Sequence, residues 1–235
     1  MLLLAAWGWW HGTRTGRLIP QTLRHAIPAD CRQLVLVRAD HVNGVPATVW
    51  LLERATPGGP WRAAAGPLPS SIGRNGTGWG SGDPALSNPG GYPDKKEGDG
   101  RSPAGIFPLP FAFGPAAAAP EGVKLPWLEC TPSLRGVDDV KSRYYNLVVD
   151  EALTPDKDWD SAEIMRREDG AYEFGIMIGH NPARVPGGGS CIFLHLWKGP
   201  GQGTAGCTAL SREHVRTILE WIDPAAAPRL LLGVP

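Results

Sequence analysis

The sequence predicts a mainly β fold with a few short helices and long loops. Three observations carry that expectation. Glycine (31) and proline (24) are both used well above their average share of 235 residues, and both interrupt helices. Apolar residues fall into short runs rich in Val, Ile, Leu and aromatics, bounded by Gly, Pro, Asn and Asp. Stretches with a helical apolar stripe are few, and 211–222 is the clearest of them.

The elements follow in chain order. MLLLAAWGWW (1–10) is largely apolar but too short to span a bilayer. It resembles the apolar core of a secretory signal, yet Arg14 and Arg17 follow it rather than precede it. A signal remnant, a misplaced start and a packed or frayed end all stay open. Residues 1–30 are therefore set apart as an N-terminal segment, and 31–235 are read as a single domain. QLVLVRAD (33–40), ATVWLLERA (47–55) and WRAAAGPL (61–68) predict three strands of an antiparallel meander. Asn43-Gly44 between the first two signals a hairpin.

The stretch 70–103 is dense in Gly, Pro, Asn and Asp and predicts a long loop without regular structure. Loops this long inside a domain are usually functional or disordered. AGIFPLPFAFG (104–114) is apolar, but its prolines predict an edge or irregular strand. AAAAPEG (116–122) reads as a surface connector. YYNLVVD (144–150), YEFGIMIGHN (172–181) and CIFLHLW (191–197) predict strands. SAEIMRRED (161–169) predicts a short helix capped by Ser161, with Glu163 in its first turn. SREHVRTILEWI (211–222) predicts a helix capped by Ser211, burying Val215, Ile218, Leu219 and Ile222.

The charges bound the partners. Lys plus Arg (23) equals Asp plus Glu (23). That balance argues against nucleic acid, which leaves a basic footprint on its binders. No stretch predicts stable membrane insertion. Four cysteines, Cys31, Cys130, Cys191 and Cys207, are too few for a disulfide scaffold at this length. One disulfide beside unpaired thiols is an open alternative.

Chemistry gathers at 191–207. Side chains alternate along a strand, so Ile192, Leu194 and Leu196 share a core face. Cys191, Phe193, His195 and Trp197 share the other. A reversal through KGPGQG (198–203) can return Thr204-Ala205-Gly206-Cys207 beside His195. Cys191 is a poorer partner, because four strand residues separate its Cα from that of His195 by roughly 13 Å. An imidazole can take the thiol proton and leave the nucleophilic thiolate. Gly206 allows close backbone approach, and the Gly206 and Cys207 amides are candidate oxyanion donors. The alternative stands beside it: a buried Cys is most often a small hydrophobe, and a strand His is most often a packing residue.

Taken together, these residues resemble the L,D-transpeptidase catalytic domain, the YkuD-type family that remodels bacterial peptidoglycan. The strand-borne His195 followed by Thr204-Ala205-Gly206-Cys207 carries the resemblance. IGRNGTGWG (72–80), KEGDGRSPAGIF (96–107), WDSAEIM (159–165) and IGHN (178–181) extend it over roughly 34–222. The resemblance implies a β-sandwich or partly closed barrel. It implies Cys207 as nucleophile, His195 as general base and acid, Gly206 in the oxyanion hole, and the Leu196 carbonyl orienting His195. The implied substrate is a peptidoglycan tetrapeptide stem, attacked to form a thioester that an amine or water resolves. Export to the periplasm or cell wall follows from that substrate. No metal and no organic cofactor is implied. His180, Trp197 and Thr204 are candidate substrate contacts, although His180 and Asn181 also suit a turn before Pro182. Two zinc-capable His and two Cys (His180, His195, Cys191, Cys207) lack close ligand spacing.

This chain departs from the family at three places. Ala209 stands where many members have Arg or Asn, and Leu196 where many have Gly. The interval from His195 to Cys207 is twelve residues, shorter than in many members. A substrate carboxylate therefore needs another partner, with Arg212, Lys198 and Arg184 as candidates or as plain solvated charges.

Overall fold

The run QLVLV becomes the middle of a large sheet. Its strand β1 (Gln33–Ala39) is buried at every position except Arg38, as expected of a strand covered on both faces. The structure is a computed structural model that describes residues 15–235. On one side β1 pairs antiparallel with β2 (Pro46–Glu53), which pairs with β3 (Arg62–Ser71). On the other side β1 pairs parallel with the C-terminal strand β14 (Arg229–Gly233).

The remaining strands of this sheet are short. They are β4 (Thr77–Trp79), β5 (Ser102–Pro108), β6 (Ala112–Gly114), β7 (Trp127–Glu129), β11 (Gly175–Met177), β12 (Phe193–Leu196) and β13 (Thr208–Leu210). The order is β4-β5-β14-β1-β2-β3-β13-β12-β11-β6-β7, eleven strands that curl on themselves. A second sheet has three strands in the order β10-β8-β9, with β8 (Leu134–Val137), β9 (Val148–Asp150) and β10 (Ala162–Ile164). The architecture is mainly β, with few short helices and long connections. Among the described residues, no helix is long and apolar enough to cross a membrane.

Two apolar clusters follow from this arrangement. The main one gathers β1, β2, β5 and β14 around Leu34, Leu36, Leu51, Ile106 and Leu231. Burying each such side chain contributes about 2 kcal/mol. A smaller one holds Phe113, Cys130, Met165, Tyr172, Phe193 and Cys207. The helix after β13, α2 (Arg212–Trp221; α1 is Gln21–Arg24), packs against β12. Its Ser211 side chain accepts the His214 N–H at 3.2 Å, and Val215, Ile218, Leu219 and Ile222 are buried as predicted.

Several expectations are corrected. Residues 161–169 do not form a helix. Ala162–Ile164 pairs with Val137–Arg135 as β10, and Ser161 Oγ donates to Asp138 Oδ1 at 2.5 Å instead of capping. A short window has weak helical preference, and the strand pairing overrides it. The long loop is not wholly irregular: β3 runs to Ser71, and Thr77–Trp79 pairs parallel with β5. The stretch 104–114 is irregular, broken at 109–111 between β5 and β6, but β5 is not an edge strand. However, β4 borders only Ser102–Ala104 and β14 only Gly105–Pro108, so each half has one laddered side. That is how Pro103 and Pro108 are accommodated.

Asn43-Gly44 does lie between paired strands, but neither residue takes a positive φ. The connection spans 40–45, with the Gly44 N–H donating to His41 O at 3.0 Å. The strand expected at 144–150 begins only at Val148, because Asn146 turns the chain at φ 61°. That expected at 172–181 is confined to Gly175–Met177. In the segment 1–30, residues 1–14 lie outside the described residues. From Ile19 onward it packs into the main cluster through Ile19, Leu23 and Ile27.

Candidate active site

Strands β12 and β13 run parallel, with His195 opposite Ala209 and Leu194 opposite Thr208. Paired residues share a face, and alternation puts Cys207 on the face of Ala209 and His195. The reversal at 198–203 thus returns the cysteine beside the histidine strand. The two residues form a diagonal pair, whose Cα atoms strand spacing and rise separate by roughly 8 Å. Leu194 and Leu196 take the opposite face and enter the main cluster.

His195 is held by its neighbours. Its Nδ1 lies 2.8 Å from Leu196 O. A carbonyl only accepts, so Nδ1 carries the proton and Nε2 keeps its lone pair. The ring of Tyr172 stands edge-on at 5.2 Å between centroids. Burial pulls the His195 imidazole down to about 4, against which the Leu196 carbonyl works.

Cys207 is buried. Its Sγ accepts from Phe193 N at 3.4 Å and lies 3.9 Å from Cys191 O. Among the described residues, the His195 ring is not a hydrogen-bond partner of the sulfur. Burial pushes the thiol up to about 12, and the Glu163 carboxylate pushes the same way. The resting pair is therefore a neutral thiol beside a neutral imidazole. Burial disfavours the charged form of both groups, the thiolate and the imidazolium. All four cysteines are free thiols.

The turn before Cys207 is tied down by hydroxyls. Ser102 Oγ donates to Gly206 O at 2.7 Å and Cys207 O at 3.0 Å, and accepts the Gly73 N–H at 2.9 Å. Thr204 Oγ1 donates to Cys207 O at 2.6 Å and accepts the Gly206 N–H at 3.1 Å. The Gly206 amide is thus already engaged and is not a free oxyanion donor in this state. The Thr204 hydroxyl likewise serves the turn. A Cβ at Gly206 would sit 3.0 Å from Arg101 O and 3.3 Å from Ile192 Cδ1, so a side chain would be crowded here.

His195, Cys207, Thr204, Gly206 and Trp197 line one cleft of about 460 Å³. Half-buried Trp197 also borders a second groove with Pro46, Pro67, Pro69 and Pro200. His180 does not line the cleft. Its Nε2 lies 2.9 Å from Gly188 O and its ring packs edge-on to Phe107. It is a packing residue, pulled down to about 4 by burial. Of the candidate carboxylate partners, Arg212 is committed to Glu173 at 2.6 Å and Lys198 to Asp169 at 3.4 Å. Arg184 donates to Arg143 O at 3.3 Å.

Sequence reasoning missed the charged and phenolic lining. Tyr172 OH donates to Glu163, which also pairs with Arg167 at 3.4 Å, and all three line the cleft. Burial raises the Glu163 carboxyl. The stretch WDSAEIM held Glu163 in view, but only as a helix-terminus charge. Lys95 and Arg74 line the cleft from the long loop. Among the described residues, no group of three or more His, Cys, Asp or Glu is placed to hold a metal ion. No family model, no curated protein and no solved structure matches this chain.

Proposed function

We propose that the chain is a cysteine acyltransferase of the L,D-transpeptidase type, acting on peptidoglycan tetrapeptide stems. One observation carries the reading. The Leu196 carbonyl fixes the tautomer of His195, leaving the Nε2 lone pair free at a cleft that Cys207 also lines. In the proposed reaction, Nε2 takes the thiol proton and Sγ attacks a stem amide carbonyl. The tetrahedral intermediate collapses as the imidazolium protonates the departing amine. A thioester remains on Cys207, and a second amine resolves it. This requires Cys207 Sγ to rotate from the Phe193 and Cys191 backbone toward Nε2 when substrate enters. The Cys207 amide then serves the oxyanion, joined by Gly206 once Thr204 Oγ1 turns away. The substrate places the protein in the periplasm or cell wall.

Incubation with purified disaccharide-tetrapeptide and mass spectrometry tests the reading. A cross-linked dimer with loss of the terminal residue is expected, and Cys207→Ala should abolish it. Trimmed tripeptide alone would replace the transferase with an L,D-carboxypeptidase. The buried, protonated thiol favours a second reading, a non-catalytic wall-peptide-binding module. Cys207 that stays unlabelled by iodoacetamide in the native protein, and gains no thioester adduct by mass spectrometry when substrate peptide is added, would select it.

A further inference from the structure

The cleft carries four cationic side chains, Arg74, Lys95, Arg167 and Lys198. Three are already matched. Buried Lys95 pairs with Asp99 at 2.7 Å. Arg167 pairs with Asp169 at 2.6 Å and Glu163, and Lys198 pairs with Asp169. The carboxylates of the lining are engaged too. Glu97 accepts from Tyr145 OH at 2.6 Å and Ser190 Oγ at 2.7 Å, Asp138 from Ser161 Oγ, and Glu163 from Tyr172 OH. Among the described residues, the Arg74 guanidinium has neither a carboxylate partner nor a hydrogen-bond acceptor.

Its position is set by backbone. Arg74 N–H donates to Thr204 O at 2.8 Å, and Gly73 bridges to Thr204. A Cβ at Gly203 would lie 2.5 Å from Arg74 Cα, so the stem of Arg74 rests against the chain leading to Cys207. Beyond that stem the guanidinium crosses Gly100, where a Cβ would lie 3.0 Å from Nε and Cζ. Gly100 has φ +68° and no side chain, which leaves that path open.

We propose that Arg74 is the carboxylate anchor of the cleft, and that the ligand is a peptide presenting a free carboxylate to it while its backbone reaches Cys207. The peptide's identity as a wall stem rests on the preceding proposal; the anchor itself does not. A guanidinium fork binds a carboxylate through two parallel N–H···O bonds. A dianionic phosphate fits the site less well. It would meet one unmatched cation and the Glu97, Asp138 and Glu163 carboxylates in the same cleft.

The test is calorimetric titration of the full chain carrying Cys207→Ala, with and without Arg74→Gln or Arg74→Lys. The probes are the stem tetrapeptide with a free C-terminal carboxylate and the same peptide as its carboxamide. With Arg74 present, amidation should weaken binding by about tenfold to a hundredfold. With Arg74→Gln, acid and amide should bind equally, and Arg74→Lys should restore part of the preference. A preference for the acid that survives Arg74→Gln, or no preference in the Arg74 protein, overturns the assignment. An intact preference here, with no turnover of stem peptide by the chain that keeps Cys207, sinks only the enzyme reading.

Discussion

The ring of Tyr172 meets the imidazole of His195 edge-on, 5.2 Å between centroids and 73° between planes. The same ring packs edge-on against Phe113 and Phe193. Tyr172 thus reaches the site in two ways: its ring walls the histidine, and its hydroxyl serves Glu163. The two are separable. Tyr172→Phe keeps the wall and leaves Glu163 with Arg167 as partner. Stability should fall by about 1–2 kcal/mol in urea denaturation, the cost of a lost buried hydrogen bond, with kcat/KM for stem peptide reduced less than tenfold. Tyr172→Ala removes the wall and opens a cavity, with an expected cost of about 3–5 kcal/mol. A tyrosine-to-phenylalanine change that abolishes turnover would place the hydroxyl in the chemistry instead.

Ser102 binds three backbone groups with one hydroxyl. Two of them are the carbonyls of Gly206 and Cys207, and the third is the Gly73 amide. Ser102→Ala leaves all three buried without that partner. Stability should drop by about 2–3 kcal/mol. Because Thr204 still holds Cys207 O, the turn survives but loosens. Iodoacetamide labelling of Cys207 should therefore become faster while the circular dichroism spectrum is retained. Unchanged labelling would show that Ser102 does not control access to the sulfur.

The parts of this fold that were legible in the sequence are those set by local pattern. Strands β1 to β3 and helix α2 follow from apolar period and turn residues. The His195–Cys207 juxtaposition follows from alternation on one strand and a Gly-rich reversal of suitable length. What escaped is nonlocal. Residues 162–164 become a strand only because 135–137 lie beside them. Asn146 and Cys191 adopt φ of 61° and 51°, which no apolar pattern announces. Glu163, Tyr172 and Arg74 come from three separate stretches, and only the folded chain puts them around one cleft. The charge state of the pair was also out of reach, since burial rather than residue type sets it.

Acid should destabilise the fold through its histidines. Burial holds His180 and His195 at about 4, against an ordinary 6.5. Between those values the unfolded chain binds protons that the native fold refuses, so stability falls as pH drops from about 6.5 to about 4. Above 6.5 neither residue adds slope. Urea midpoints measured across this window should fall less steeply for His180→Gln than for the parent chain. The same burial predicts an acid limb for kcat/KM near pH 4 rather than near 6.5. A limb near 6.5 would mean that His195 is solvated in the free protein.

Gly175 stands directly opposite both Phe113 of β6 and His195 of β12. A Cβ there would lie 2.1 Å from Phe113 Cζ and 2.4 Å from its Cε2, so the phenyl ring occupies the space a side chain would need. Gly175→Ala must push Phe113 aside, and Phe113 leans on Phe193 at 5.0 Å and Tyr172 at 5.4 Å. The strain therefore arrives at the wall beside His195. Overpacking of this kind costs about 1–3 kcal/mol, and turnover should fall along with stability. Phe113→Leu in the same chain makes room for the methyl group. The double variant should be more stable than the sum of the two single changes predicts, because the residues touch. Strict additivity in the denaturation midpoints would mean that the ring is not what forbids a side chain at this position.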